Sequence, residues 1–368
     1  MRVLFVDDEK QVLAGIERTL FMADRDWDVA FAGSGAEALT TLAGAPADVV
    51  VSDMRMPLMD GAELLRRVRE RWPRTIRIIL SGHTEQEAAL RSLDVAHQFL
   101  AKPCDGDALI EAIDRAVALQ VLLADPAVQA VAGRIGGLPS APRMFERLNR
   151  LLGDCNCGVA QIAEVVEGDP ALAAKVLQLA NCAFFGNGHR VNDIKDAVGR
   201  IGISLLRTLV LASEVFHSDG GDSADAIRTN AVRASRLAAA IAKGYASEDI
   251  VVTAALLANI GRLLPDIDRL CRDADPDSSG FPSHAEIGAY LLGVWGLPGA
   301  IVEAVAHHHC PGRVEHRQFD AVGVVHVAVA LARGEAPDAD YLQAMGVAAE
   351  LPQWQAACAR IREAEQIP

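Results

Sequence analysis

Over its first 119 positions the chain alternates short apolar runs with segments of helical period. The runs end in Val3-Leu4-Phe5-Val6, Val49-Val50-Val51, Ile78-Ile79-Leu80 and Phe99-Leu100-Ala101. Strands are predicted at 2–6, 28–32, 48–52, 77–80 and 98–101, and helices at 11–23, 35–43, 61–71, 85–95 and 105–119. Most strands are continuously apolar, as a sheet covered on both faces requires. Five βα units in this order predict a parallel five-stranded sheet with helices on both sides.

The texture changes after Ala124, and 133–142 is rich in Gly and Pro. Beyond it strand signals all but vanish. Helices are predicted at 143–152, 159–167, 170–181, 194–201, 204–214, 224–244, 249–264, 284–295, 299–308 and 319–333, with a weaker pattern at 353–363. The fold class is therefore multidomain: an N-terminal flavodoxin-like α/β unit at 1–120, a helical linker at 121–135, an all-α unit at 136–335 and a helical extension at 336–368.

Composition narrows the function classes. Half of the 368 residues are hydrophobic, enough to bury sizeable cores, and the net charge is −14. Residues 1–122 carry 20 acids and 14 bases, and the remainder 29 and 21, so neither part is a basic nucleic-acid module. The one basic run, Arg66 to Arg77, is expected to be a solvated face. No apolar stretch reaches membrane-spanning length, and no signal peptide is recognised, so a cytoplasmic protein without membrane insertion is expected. Seven cysteines without a secretory signal are expected to be free thiols, and the lone Cys155-x-Cys157 does not suggest zinc.

Chemistry collects at the strand ends. Asp7-Asp8 follow the first apolar run, Asp53 the third strand, Ser81 the fourth and Lys102-Pro103 the fifth. The C-terminal edge of a parallel sheet is where such folds place their sites. Clustered carboxylates there suit Mg²⁺, with Asp8 and Asp53 as ligands, Asp7 nearby or acting through water, and the backbone carbonyl of Arg55 as a third protein ligand. Asp53 is then the nucleophile toward a phosphoryl donor. Lys102 stabilises the transferring oxygens, and Ser81 offers its hydroxyl to the product.

VDDE (6–9), SDMRMPLMDG (52–61), LSG (80–82) and FLAKP (99–103) resemble the receiver domain of two-component response regulators. The resemblance implies phosphorylation of Asp53 by a sensor histidine kinase, a cis peptide before Pro103 and a Ser81–Phe99 switch. In that switch the ring swings inward and alters the surface of the fourth helix, fifth strand and fifth helix. Arg55 and His83 flank the acceptor, and their bulk leads us to expect a phospho-form lasting minutes or longer.

In the helical part, GLPSAP (137–142), EGDPALAAKVLQLANCAFFG (167–186), DAVGRIG (196–202), ALLANIGRLL (255–264), HAEIGAYLLGVWGLP (284–298) and HHH (307–309) resemble the HDOD domain, a non-catalytic relative of the HD phosphohydrolases. The resemblance places the His-Asp dyad of active relatives at Ala258 and Asn259, their upstream His at Thr229 and their downstream Asp at Val329. His284, His307 and His308 remain. Three sequential histidines on one helix cannot all face one ion, so at most one or two of 307–309 are expected to converge. With the dyad gone, no cofactor is expected in this part and no enzyme activity beyond receiver phosphotransfer.

The reading that follows is a response regulator whose HDOD part, switched by phosphorylation, contacts an unknown downstream protein; a homodimer is compatible with it. The alternative is a metal-dependent HD-type phosphohydrolase or cyclic-dinucleotide phosphodiesterase with a residual site at His284, His307 and His308. Output by DNA binding is opposed by the acidic charge.

Overall fold

A computed structural model describes residues 1–23, 25–82, 95–102, 104, 106–122, 128–129, 132–133, 135, 147–148, 150–152, 157–181, 190–203, 206, 221–264, 283–314 and 318–365. The sheet comprises β1 (Arg2–Val6), β2 (Asp28–Ala32), β3 (Val49–Asp53), β4 (Ile76–Gly82) and β5 (Gln98–Lys102), all parallel in the order β2-β1-β3-β4-β5. Three helices separate the first four strands: α1 (Lys10–Met22), α2 (Gly35–Gly44) and α3 (Gly61–Arg71); α4 (Gly106–Leu122) follows β5. The expected α/β architecture is what forms. The predicted helix at 85–95 lies, up to its last residue, outside the described residues.

Local chemistry sets the helix starts. Ser34 accepts from the Glu37 amide, and Asp60 accepts from the Glu63 amide at 2.7 Å. These caps satisfy amides that a helix start leaves unpaired. The central strands are buried on both faces: Val3 to Val6, Val49 to Val51 and Ile78 to Leu80 are almost wholly covered.

The rest is helical: α5 (Val159–Glu167), α6 (Pro170–Ala180), α7 (Ile194–Ile201), α8 (Gly221–Ile241), α9 (Glu248–Leu257), α10 (His284–Val294), α11 (Gly299–His307), α12 (Ala321–Arg333), α13 (Ala339–Ala344) and α14 (Leu351–Glu365). Asp169 caps α6 through the amides of Ala171 and Leu172, with Pro170 opening the helix. Every residue of α6 is buried, and so is nearly every residue of α12, so these are the central rods of the bundle. The apolar pattern over 249–264 predicts one helix. Instead α9 stops at Leu257, and a 3₁₀ turn, Ile260–Leu263, follows a break at Asn259. Apart from Leu206 the predicted helix at 204–214 lies outside the described residues, as does half of 143–152.

The sheet and the bundle touch at the N-terminal end of β5. Gln98 Nε2 donates to the Val294 carbonyl at 2.9 Å, and Leu119 of α4 packs against Gly293. Arg77 corrects the expectation of a solvated basic face. Arg66 and Arg67 do lie toward solvent, paired with Glu63, but Arg77 is fully buried in β4. Its guanidinium donates to the carbonyls of Val95 (2.6 Å), Thr75 (3.2 Å) and Gly133 (2.9 Å) and contacts His97 Nε2 at 2.6 Å. Burial and the charge of Arg69 pull this guanidinium down to about 9. Burial and the charge of Arg77 hold His97 neutral, well below its usual range.

Candidate functional site: a carboxylate–lysine cluster and a histidine cluster

Register brings the predicted acceptor residues together. Val6 lies opposite Ser52, so the next residues, Asp7 and Asp53, are neighbours at the C-terminal edge of the sheet. Asp53 lies opposite Leu80, and Gly82 opposite Lys102. The Lys102 ammonium bonds Asp7 Oδ2 at 2.6 Å and also pairs with Asp53 Oδ1. The other oxygen of Asp53 accepts from the Arg55 amide at 2.8 Å, and Asp7 Oδ1 accepts from the Glu9 amide at 2.9 Å. Asp7 and Asp53 are buried, whereas Asp8 is exposed at the mouth.

Gly61 makes this geometry possible. A Cβ there would lie 2.2 Å from the Asp53 carbonyl oxygen, and the Gly61 amide donates to the Met54 carbonyl at 2.9 Å. The loop after the acceptor thus folds tightly onto it, and Leu58 takes a positive φ of 69° within that loop. Ser81 is buried with its hydroxyl 3.5 Å from the Gly82 carbonyl, and Phe99 is already buried on β5. His83 and Pro103, with its expected cis peptide, lie outside the described residues.

The electrostatics of the cluster follow from burial and from its one lysine. Burial raises the Asp53 carboxyl above its ordinary value against the lowering effect of Lys102, and the charge of Asp7 adds to the rise. Burial would pull Lys102 down, but its bonds to Asp53 and Asp7 outweigh this and hold it up. A divalent cation fits the donor set. The donors are all oxygens, and a cation would offset the burial, and the lesser charge of Asp7, that lift Asp53. Asp7, Asp8, Asp53 and the Arg55 carbonyl are the groups that would hold it.

The second cluster differs from the sequence expectation. His284, His308 and His309 converge, with ligand atoms within 4.8 Å of one another; His307 is not among them. The assigned helix α11 ends at His307, and His308 follows as its C-cap with helical backbone angles. His284 Nε2 lies 2.8 Å from His309 Nε2 and accepts from Arg262 Nε at 3.1 Å. His308 donates from Nδ1 to the Val305 carbonyl at 2.8 Å, and its Nε2 is buried without a partner. Burial, with the neighbouring positive charges, holds both His284 and His308 far below the usual histidine range.

Ala258 and Asn259 sit at the break after α9, and the Asn259 side-chain oxygen is buried and unpartnered. Thr229 does not join the histidines. It is exposed and lines a separate cleft of about 490 Å³ with Arg233, Arg333, Arg362 and Glu365. Val329 is buried in the core of α12; one turn earlier, His326 meets the cluster, its Nδ1 2.7 Å from the His308 carbonyl. Sequence reasoning missed Arg262 and His326, held His309 only as one of three sequential histidines, and placed Arg77 on a solvated face. Only the end of α11 carried a readable signal, in the Cys310-Pro311-Gly312 that follows it.

Two family models match the chain: the response regulator receiver domain over residues 3–114 and the HDOD domain over residues 138–266. The hydrogenase transcriptional regulatory protein HoxA of Cupriavidus necator is 38% identical over 125 residues, covering 33% of this chain and 25% of HoxA. An uncharacterised protein of Treponema pallidum is 25% identical over 231 residues, 56% of this chain and 45% of that protein. The chain thus spans less than half the length of these curated relatives. The receiver domain of an HD domain-containing protein from Pseudomonas fluorescens Pf-5 covers 33% of this chain and 97% of its own, at 28% identity and a TM-score of 0.31. No helix among the described residues is long and apolar enough to cross a membrane. The two domain matches place the chain among the two-component response regulators, as a receiver domain followed by an HDOD domain.

Proposed function

We propose that a sensor histidine kinase, or a small phosphodonor, phosphorylates Asp53 in a Mg²⁺-dependent reaction, and that this switches a non-catalytic HDOD output acting through protein contacts in the cytoplasm. The observation that carries the reading is the seat of Asp53: one oxygen on Lys102, the other on the Arg55 amide, with Asp7 sharing the lysine. A carboxylate oxygen of Asp53 attacks phosphorus, a P–O bond forms, and the bond to the donor imidazole breaks as that nitrogen takes up a proton. When bound, Mg²⁺ supplies charge neutralisation for the transferring oxygens. Lys102 holds a positive charge beside the same oxygens, and the Arg55 amide orients the nucleophile.

The new group adds about −1.5 to −2 charges at one strand end. Lys102 then moves from carboxylates to phosphoryl oxygens, and the Ser81 hydroxyl turns from the Gly82 carbonyl toward them. On the output side, Ala258 offers no ligand atom and Asn259 only a neutral amide, which supports binding over hydrolysis. The downstream protein is recognised by the HDOD part, and a receiver-mediated homodimer is compatible with the switch.

The test is acetyl phosphate with Mg²⁺, read by intact mass and elution volume beside Asp53→Ala. A phosphoryl mass gain confined to wild type, with an altered elution volume, is expected. A gain of the same size in Asp53→Ala would refute the assignment of the acceptor.

A further inference from the structure

We infer that His284, His308 and His309 form a site for one divalent first-row transition metal ion, built from three imidazoles and open to solvent on the His309 side. It rests on the convergence of three rings, and a separate observation points the same way. His308 is buried, its Nδ1 is fixed on the Val305 carbonyl, and its Nε2 is aimed into protein with no hydrogen-bond partner. An imidazole anchored at one nitrogen and bare at the other is how metal-binding histidines are oriented. The Nε2 atoms of His284 and His309, 2.8 Å apart, already face each other.

The donor set selects the metal. Imidazole nitrogens suit zinc, nickel, copper and cobalt and do not suit magnesium or calcium. The ligands come from the first residue of α10 and the two residues that follow α11, so an ion would tie these two helices together. His309 is exposed, which leaves a coordination position toward solvent.

Arg262 is the gate. Its Nε donates to the same His284 lone pair an ion would use, and its side chain is only half-buried. Entry of an ion turns this guanidinium out toward solvent. Arg262 therefore weakens the site, and Arg262→Gln should tighten it. A purely structural role for Arg262 predicts lower stability and no gain in affinity.

The experiment is equilibrium dialysis of the full chain against Zn²⁺ with excess Mg²⁺ present to occupy the receiver carboxylates, followed by metal analysis and repeated with Co²⁺ for its visible ligand-field bands. One zinc per chain is expected. His309→Ala, at an exposed position that leaves folding intact, and His308→Gln should each weaken binding by more than about 100-fold, beyond what loss of an outer partner brings. His307→Ala should leave it unchanged, and Arg262→Gln should strengthen it by about tenfold or more. Absence of stoichiometric zinc in both wild type and Arg262→Gln overturns the site, and so does zinc retained by His308→Gln and His309→Ala alike. Because the readout is metal content, failure here leaves the Asp53 assignment untouched.

Discussion

Replacing Gly61 by alanine tests how closely the acceptor loop is built. The new Cβ would sit 2.2 Å from the Asp53 carbonyl oxygen, 3.1 Å from its carbonyl carbon and 3.1 Å from the Met54 Cα. Ordinary contact needs about 1 Å more, and every obstructing atom is backbone, so no side chain can rotate away. Overpacking of this kind costs about 1–3 kcal/mol. At about 4 °C per kcal/mol for a domain of this size, the receiver melting temperature should fall by roughly 4–12 °C. The acceptor itself has to move, and a 1 Å displacement of a reacting group costs up to about 100-fold in rate. The assay is the rate of mass gain from acetyl phosphate with Mg²⁺, beside a thermal melt followed by circular dichroism. Gly15→Ala is the internal control: nothing lies within 4 Å of its Cβ, and α1 should gain about 0.5–1 kcal/mol. A Gly61→Ala protein that melts and phosphorylates like wild type would refute the close approach on which the site geometry rests.

Asp53→Asn should stabilise the receiver at neutral pH in the presence of a chelator. The folded carboxyl is raised, so its ionised form destabilises the fold above that raised value. The advantage of the variant should shrink as pH falls toward the unfolded aspartate value of 3.8, which melts at several pH values will show. The helical part should lose stability as pH falls below about 6.5, because His284 and His308 are neutral when folded and take up protons when unfolded. A melting temperature that stays flat from pH 7.5 to pH 5 would contradict that burial. Arg77→Lys should cost about 2–4 kcal/mol in chemical denaturation, since a single ammonium cannot serve carbonyls on three segments as the guanidinium fork does.

The sheet was legible because burial on both faces writes itself as unbroken apolar runs. Ser34 and Asp169-Pro170 are helix-start signals visible in the sequence, whereas the cap at Asp60 emerges only in the structure; Val159–Glu167 and Ile194–Ile201 fall where periodicity placed them. Periodicity failed where burial continues through a change of backbone. Ile260, Leu263 and Leu264 keep the apolar pattern going past Leu257, so the break at Asn259 left no trace in hydropathy. Of the three sequential histidines two converge, as helix geometry allows, but periodicity did not say which two: they are His308 and His309 rather than His307 and His308. Arg77 was hidden by its neighbours, for a cation at the end of a basic run carries no sign that its strand enters the core one residue earlier.

The same two structural elements connect both candidate sites. β5 holds Lys102 at the acceptor end and Gln98 at the other, four residues and about 13 Å away. Gln98 donates to Val294, the last residue of α10, and α10 begins at His284, about 15 Å along its axis. A strand hydrogen-bonded along its length to β4 and a helix packed on all sides transmit displacement better than a loop would. The proposed phosphoryl group beside Lys102 and the proposed ion at His284 would therefore act on opposite ends of one β5–α10 path. Its joint is the Gln98–Val294 hydrogen bond, backed by Leu119 on Gly293 and by Gln178 of α6, whose Nε2 donates to the His97 carbonyl.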